Sequence, residues 1–549
     1  MPLRRSSAVR VSFAWPLALC VVTVLSVPAL GAVQPPAAVT PTTVTPPGFV
    51  APVSPVPTTR FIDLKTHGNL RLRSQWLHNG SLGEGGSAQP STLKRLYLAP
   101  NGSDVVLTDV RLRVDPTLHL GARARIDAQL DVTGGLIFGA KLNGSGLGDR
   151  FVGMFGNTAK QDAVAVRRAW ATFDVFGLAK LIVGRTGDHF GLGLWRNDGR
   201  DPRADFQSDV DRVALRGDLF GMRITLSRDT LVTLPVVAPG HHGDDLFYGL
   251  QGATDVIRWL AQVEGGVLEP GKKGLRWGAA LSYHSQSLGL RLEHSDDVQT
   301  ALAGDCVSAD TCTQLVPREA LMIVPQATVS WTGSTGLGAL KAAAEVVVRV
   351  ASFDNTDALP KTDTSTTLVG GALVGQLSLT RGSQVWGVRA GWASGDDAGG
   401  FGVNDRHNLS IVDPVSKELV HRSIVTGMTT HRGFLVDGIL FREVIGAVAN
   451  AWYARPSWRL DVHPRTTSAG LSFELACLVA GAAQWGATPG RRSWLGVEPE
   501  LKVDARFGRL GRMVMQTSLL LPGAAFDAGL DGAAAEPAWR VSASWIVDF

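Results

Sequence analysis

The sequence predicts an all-β protein, a transmembrane antiparallel β-barrel of about 18 strands (16–18) with short periplasmic turns and long extracellular loops. Three observations predict it. Apolar and charged residues alternate with a period of two in one segment after another. Short connections bearing Gly, Pro or Asp alternate with long polar ones. The chain opens on an export signal and closes on an alternating strand that ends in Phe549.

Arg4, Arg5 and Arg10 form a basic start, followed by an apolar stretch and by small residues at Ala29, Gly31 and Ala32. Residues 1–32 therefore read as a cleaved secretory signal. Cys20 invites a lipoprotein reading, but Leu19 is larger than the residue such a cleavage site takes. Residues 33–59 interleave prolines with Thr, Val and Ala, a composition that cannot build a core and suits an extended periplasmic linker. Residues 60–549 are assigned to the barrel.

The alternation is plain in "GNLRLRSQWLHN", from Gly68. Leu70, Leu72 and Trp76 share one face; Asn69, Arg71, Arg73 and Gln75 share the other. The same parity runs through 106–114 and 116–132, with Asp115-Pro116-Thr117 read as a turn between them. Around "VAVRRAWATFDV" both parities hold apolar residues, and the facing is open. Further strands are expected at 275–283, 288–293, 323–331, 340–351, 369–379, 386–392, 458–463, 469–479, 495–507, 513–521 and 538–549. Phe176-Gly177-Leu178, "GDLFG" (217–221), "GSTG" (333–336), "RGS" (381–383), "HPR" (463–465) and "GRLG" (508–511) read as tight turns. Long connections include 187–211, 230–272, 295–320 and 395–452.

Unpaired backbone is excluded from hydrocarbon, so such a sheet must close. The apolar face is then expected outside and the charged face in a wet lumen. The last strand, "AWRVSASWIVDF", alternates, and with Trp545 and terminal Phe549 it resembles the signal read by barrel-insertion machinery.

The stretch "GRTGDHFGLGLWRNDGRDPRADFQSDVDRVAL", from Gly184, resembles an uncharacterised porin-like family of myxobacterial outer-membrane barrels. Gly184-Arg185, His189 to Gly193, Asn197-Asp198-Gly199, Asp209 and Asp211-Arg212 carry the resemblance, with 436–456 and 495–501 beside them. It implies a barrel in the bacterial outer membrane over about residue 60 onward. Relatives often carry a cysteine pair in this loop, where Arg203 and Ala204 stand here.

Asp188, His189, Arg196, Asp198, Arg200, Asp201, Arg203 and Asp205 crowd the loop 187–211. Folded inward, they would narrow a pore and set a transverse field; folded outward, they are a solvated loop held by its own ion pairs. Lys65, Arg71, Arg73, Arg111, Arg113, Arg123 and Arg125 are the expected basic lining, which biases a pore toward anions unless luminal acids cancel it. Leu435, Ile439, Leu440, Val444 and Val448 recur at helical spacing, either as packing or as a plug at the mouth. Cys306 and Cys312 suit a small disulfide loop in an exported chain, and Cys477 suits packing.

No cofactor or metal site is implied: carboxylates are present but no EF-hand spacing, and no His stands near the cysteines at ligand spacing. With a net charge of only +4, no nucleic-acid partner is implied. The expected partners are outer-membrane lipid, the insertion machinery and small hydrophilic solutes, with a homotrimer open. Three functions stay in view. One is a channel for small hydrophilic solutes, anions among them. Another is a plugged barrel acting through its external loops. The third is a hydrolase using His189 beside Asp188, or His241-His242 beside Asp244-Asp245.

Overall fold

The computed structural model describes residues 62–80, 82, 104–137, 164–231, 256–267, 272–293, 312–354, 365–397, 410–412, 419–421, 424–436, 438–463, 469–527 and 534–549. Its strands are β1 (Ile62–His78), β2 (Asp104–Leu120), β3 (Ala124–Ile137), β4 (Val164–Val175), β5 (Ala179–Gly187), β6 (Asp209–Leu219) and β7 (Met222–Leu231). There follow β8 (Ile257–Gly266), β9 (Gly274–Glu293), β10 (Cys312–Thr335), β11 (Gly338–Asp354), β12 (Ser365–Arg381) and β13 (Gln384–Ala393). Three short pieces come next: β14 (Ser410–Val412), β15 (Leu419–His421) and β16 (Ile424–Val425). The chain ends in β17 (Ala451–His463), β18 (Gly470–Ala482), β19 (Trp494–Arg506), β20 (Arg512–Pro522) and β21 (Ala538–Asp548).

β1 to β13 and β17 to β21 pair antiparallel in chain order, and β21 pairs back onto β1, which closes an 18-stranded barrel. Closure leaves no open edge, as a wall in hydrocarbon requires. At the seam Gly68 and Phe549 exchange both backbone hydrogen bonds (2.9 and 3.0 Å). A Cβ on residue 68 would run into the Arg113 carbonyl oxygen and stand 2.6 Å from the Phe549 ring, so glycine is needed there.

Leu70, Leu72, Trp76, Val213, Leu215, Val348, Leu373 and Leu501 are exposed on the outer wall, while Arg71, Arg73, Gln75, Arg113 and Asp131 are buried inside. The period-two pattern is therefore the inside–outside pattern of the barrel. In the loop-side half, toward β10–β12 and β17–β21, it changes character. Val324, Val347, Leu368, Leu478 and Leu520 point inward and pack on Met428, Ile439, Leu440 and Val444 of the 424–450 segment. The interior there is a dry core rather than a wet wall.

Four expectations need correcting. Asp115-Pro116-Thr117 is not a turn: β2 runs on to Leu120, and the chain turns at Gly121 (φ 65°). Pro116 is tolerated because it lies opposite Thr66 of β1, where the β2–β3 ladder steps from Val114 to Thr117. The long connection 230–272 contains β8, whose Leu260 is buried inside among Arg258 and Gln262, which blurs its alternation. The stretches 275–283 and 288–293 are one strand, β9. The helical spacing at 435–448 produces only a five-residue π-helical turn, Leu440–Val444. Gly438 and Gly446 flank it, and so short a helix stands only by packing.

Candidate functional site

Two loops fold into the lumen, and inward side chains hold both. In the first, the segment 188–208 between β5 and β6, Asp188 N donates to Ser208 O (3.0 Å) and closes the base. The Asp188 carboxylate accepts from Arg196 (3.1 Å), Arg212 of β6 (3.0 Å) and Arg258 of β8 (2.7 Å). Asp229 of β7 accepts from Arg212 (2.7 Å) and Arg258 (2.6 Å) and completes the cluster. Burial alone would raise the Asp188 carboxyl, but Arg196, Arg258 and Arg212 hold it well below the usual carboxylate range.

The far side of this loop meets β1 and β2. Asp205 accepts from Arg71 (2.9 Å) and Arg73 (2.7 Å), and the same two guanidinium groups reach Asp109. Arg111 donates to the backbone carbonyls of Pro202 (2.6 Å) and Ala204 (2.8 Å). Arg113 bridges Asp131 (2.7 Å) and Gln207 (3.1 Å). The cationic face of the opening strand is thus a socket for the loop. Desolvation opposes the charge on Asp205, and Arg73, Arg71 and Arg442 outweigh it, keeping the carboxyl well below its ordinary value. The loop tip is held from across the lumen by Glu345 of β11, which accepts from Leu192 N (2.5 Å).

The second loop, 424–450, is held the same way. Glu498 of β19 accepts from the backbone of Gly438, Ile439 and Leu440, each at 2.9 Å. Arg540 of β21 donates to Gly438 O (3.2 Å) and approaches Glu443 (3.3 Å). Arg349 donates to Gly427 O (3.0 Å) and Arg389 to Leu435 O (2.9 Å). The loops also clasp each other: His431 N donates to Leu194 O (2.8 Å), Arg442 reaches Asp205 (3.3 Å), and Arg432 lies 4.3 Å from the Phe206 ring centre. Gly433 N donates to His431 Nδ1 (2.9 Å), which requires a neutral imidazole; burial, with Arg432 beside it, lowers this group to about 4.

Below the first loop, toward the short turns, lies a cavity of about 700 Å³ walled by β2 to β6. Its lining holds eight Arg or Lys side chains against four Asp, with Trp170 and His119 among them. Lys180 and Arg123 have no carboxylate partner among the described residues, and Arg216 donates only to Thr225 (3.3 Å). The lining therefore holds an excess of cationic groups, which Asp115, bonded to Gln129, and Asp174, bonded to Gly177 N, offset only in part.

The structure brings Asp188, Arg196 and Asp205 together with Arg71, Arg73, Arg111 and Arg113 in the clasp. Asp198 stands at its edge, paired with His189 (3.3 Å) and the exposed Arg200 (2.6 Å). Asp201 and Arg203 pair with each other (2.6 Å). Arg125 pairs with Asp127 lower in the lumen, Arg123 sits in the β2–β3 turn, and Lys65 lies exposed beside Asp63, beyond the point where β21 begins to pair with β1. Trp545 stacks on Phe507, with ring centres 5.4 Å apart. Cys306, the Cys312 side chain and His241-His242 lie outside the described residues. Among the described residues no three His, Cys, Asp or Glu groups are placed to hold a metal ion. Asp109, Asp229, Arg258, Glu345, Glu498 and Arg540 were not singled out from sequence as part of the clasp; their one signal is a charge on the inward parity of a strand.

No protein-family model matches the chain, and no curated protein sequence does. The solved structures it is similar to include two Pseudomonas aeruginosa proteins. One is OpdL, with a TM-score of 0.47 and 12% identity over 89% of this chain and 98% of that one. The other is OpdK crystallised with vanillate, with a TM-score of 0.45 and 11% identity over 88% and 99%. Likeness at this level does not bear on the lumen, which the chain's own residues define.

Proposed function

We propose that this protein is a porin-like channel of the bacterial outer membrane that passes small hydrophilic solutes and prefers anions. The observation that carries the reading is the cationic cavity set directly under a loop clasp inside a closed, outwardly apolar barrel. The path runs along the β1–β9 side, where the lumen is polar, because apolar packing fills the β10–β12 and β17–β21 side near the loops. The clasp is the narrow point, and its alternating Arg and Asp groups impose a transverse field on a solute. In this reading the resemblance to a myxobacterial porin-like family gives the type, and the β21 terminus is the signal for insertion.

That same apolar packing supports a second reading, a barrel plugged by 424–450 that works through its outer loops. Planar-bilayer recording of the refolded, signal-free protein separates them. Stepwise conductance with a reversal potential of anionic sign in a KCl gradient is expected. A heat-modifiable, folded barrel that gives no steps would leave the plugged reading.

A further inference from the structure

On several strands the outward apolar stripe is long enough for a membrane. On β11 it runs from Leu340 to Val350, on the order of 26 Å along the barrel axis at usual strand rise and tilt, which fills the roughly 25 Å band such barrels present. On β6 it runs only from Val213 to Leu219, about 15 Å on the same reckoning. Above it the outer face carries a bidentate pair, Arg185–Asp211 (2.7 and 2.9 Å). The neighbouring β7 turns Arg228 outward at the level of Val213, with no partner among the described residues.

The missing apolar length lies at the other end. The β4–β5 and β6–β7 hairpins are neighbours in the wall, and their tips are Phe176-Gly177 and Phe220-Gly221. Both phenylalanines hold left-handed backbone, φ 54° and 52°, at turn positions that Asn, Asp or Gly occupy without strain. They are 90% and 88% exposed, with Leu178 and Leu219 exposed beside them. Leu337 and Leu510 also cap short turns. Over β5–β7, though, the charged belt sits low, and there bulky aromatics crown two adjoining tips.

We infer that the β4–β5 and β6–β7 tips are embedded in the acyl region of the periplasmic leaflet, so that the barrel sits tilted with β4–β7 displaced toward the periplasm. Arg185, Asp211 and Arg228 then lie at the headgroup level of the opposite leaflet, within snorkelling reach of phosphates. The inference rests on the transmembrane reading. Acyl chains are the occupant because Val183, Leu215 and Leu226 lead down the outer face to these tips, while the charged groups nearest them, Asp174, Lys180, Asp218 and Arg223, stand on the lumenal parity of their strands.

Wild-type protein in phosphatidylethanolamine–phosphatidylglycerol vesicles, doped with a phospholipid carrying a diazirine at its acyl end, provides the test. Mapped adducts are expected on Phe176, Leu178, Leu219 and Phe220 at yields within about threefold of Leu215 and Leu226. Tips labelled about tenfold less than Leu215, or modified instead by a water-soluble diazirine, would overturn it. Protection from both reagents would assign the tips to a protein partner and overturn it equally. No acyl adducts at Leu215 and Leu226 would remove the transmembrane reading and this inference together.

Discussion

Asp205 joins three parts of the molecule through one carboxylate: Arg71 and Arg73 of the wall and Arg442 of the second loop. Removing one partner of a buried ion pair costs about 3–5 kcal/mol because the remaining charges stay uncompensated, and a wet lumen reduces that figure. Asp205→Ala is therefore expected to keep the barrel folded, by its heat-modifiable mobility, while releasing both loops; single-channel conductance should rise about twofold or more. Unchanged conductance in a folded variant would show that the clasp is not the narrow point. Glu498 does comparable service by accepting three backbone N–H groups. Glu498→Gln keeps the shape but removes the charge, at about 1–3 kcal/mol, so amide exchange at 438–440 should quicken about tenfold or more. Neither role was legible from sequence. Parity places Asp and Glu side chains inside, yet Asp205 is a loop residue like Asp201, and only the fold decides which one meets a socket and which stays exposed. The Arg71 and Arg73 face was legible, because a charged parity opposite Leu70 and Leu72 has one destination in a barrel.

The two inward loops carry different titratable groups, and they should respond differently to acid. In loop 188–208 the Asp188 and Asp205 carboxylates lie well below the ordinary range, so their contribution persists above that range and is lost only as pH falls through the depressed folded values. Loop 424–450 carries His431, lowered to about 4. A histidine depressed in the folded state opposes docking once the released loop can take a proton, so docking weakens as pH falls from about 6.5 toward 4. Conductance or amide exchange at 424–450 is expected to rise across that window in the wild type and to stay flat in His431→Asn. Equal acid sensitivity in the variant would assign the effect elsewhere. Elements with strict alternation, such as β1, β11 and β12, were readable as strands. β8 was not, because Leu260 sits inward between Arg258 and Gln262. The 435–448 stripe was readable as apolar, but its period described a packed loop with one helical turn rather than a helix.

At the scale of the whole barrel, closure and wall polarity follow from one requirement, that backbone amides be paired and apolar side chains face lipid. That is why the strand count and the outer face were legible. The charge balance of the lumen was not, because it depends on which arginines find acids. In the clasp most do; in the cavity Lys180, Arg123 and Arg216 do not. The anion preference should therefore arise in the cavity and not in the more densely charged clasp. Screening sharpens the expectation. At about 0.1 M salt the Debye length is about 10 Å, comparable to a narrow lumen, and at 1 M it is about 3 Å. Reversal potentials should be strongly anionic in dilute KCl gradients and shrink in concentrated ones. Lys180→Gln combined with Arg216→Gln should move the dilute-salt potential most of the way to zero while conductance falls less than about twofold, since neither side chain belongs to the clasp. A double variant that keeps full anion selectivity would relocate the preference to Arg71, Arg73 and Arg111, and the clasp would then be a filter as well as a constriction.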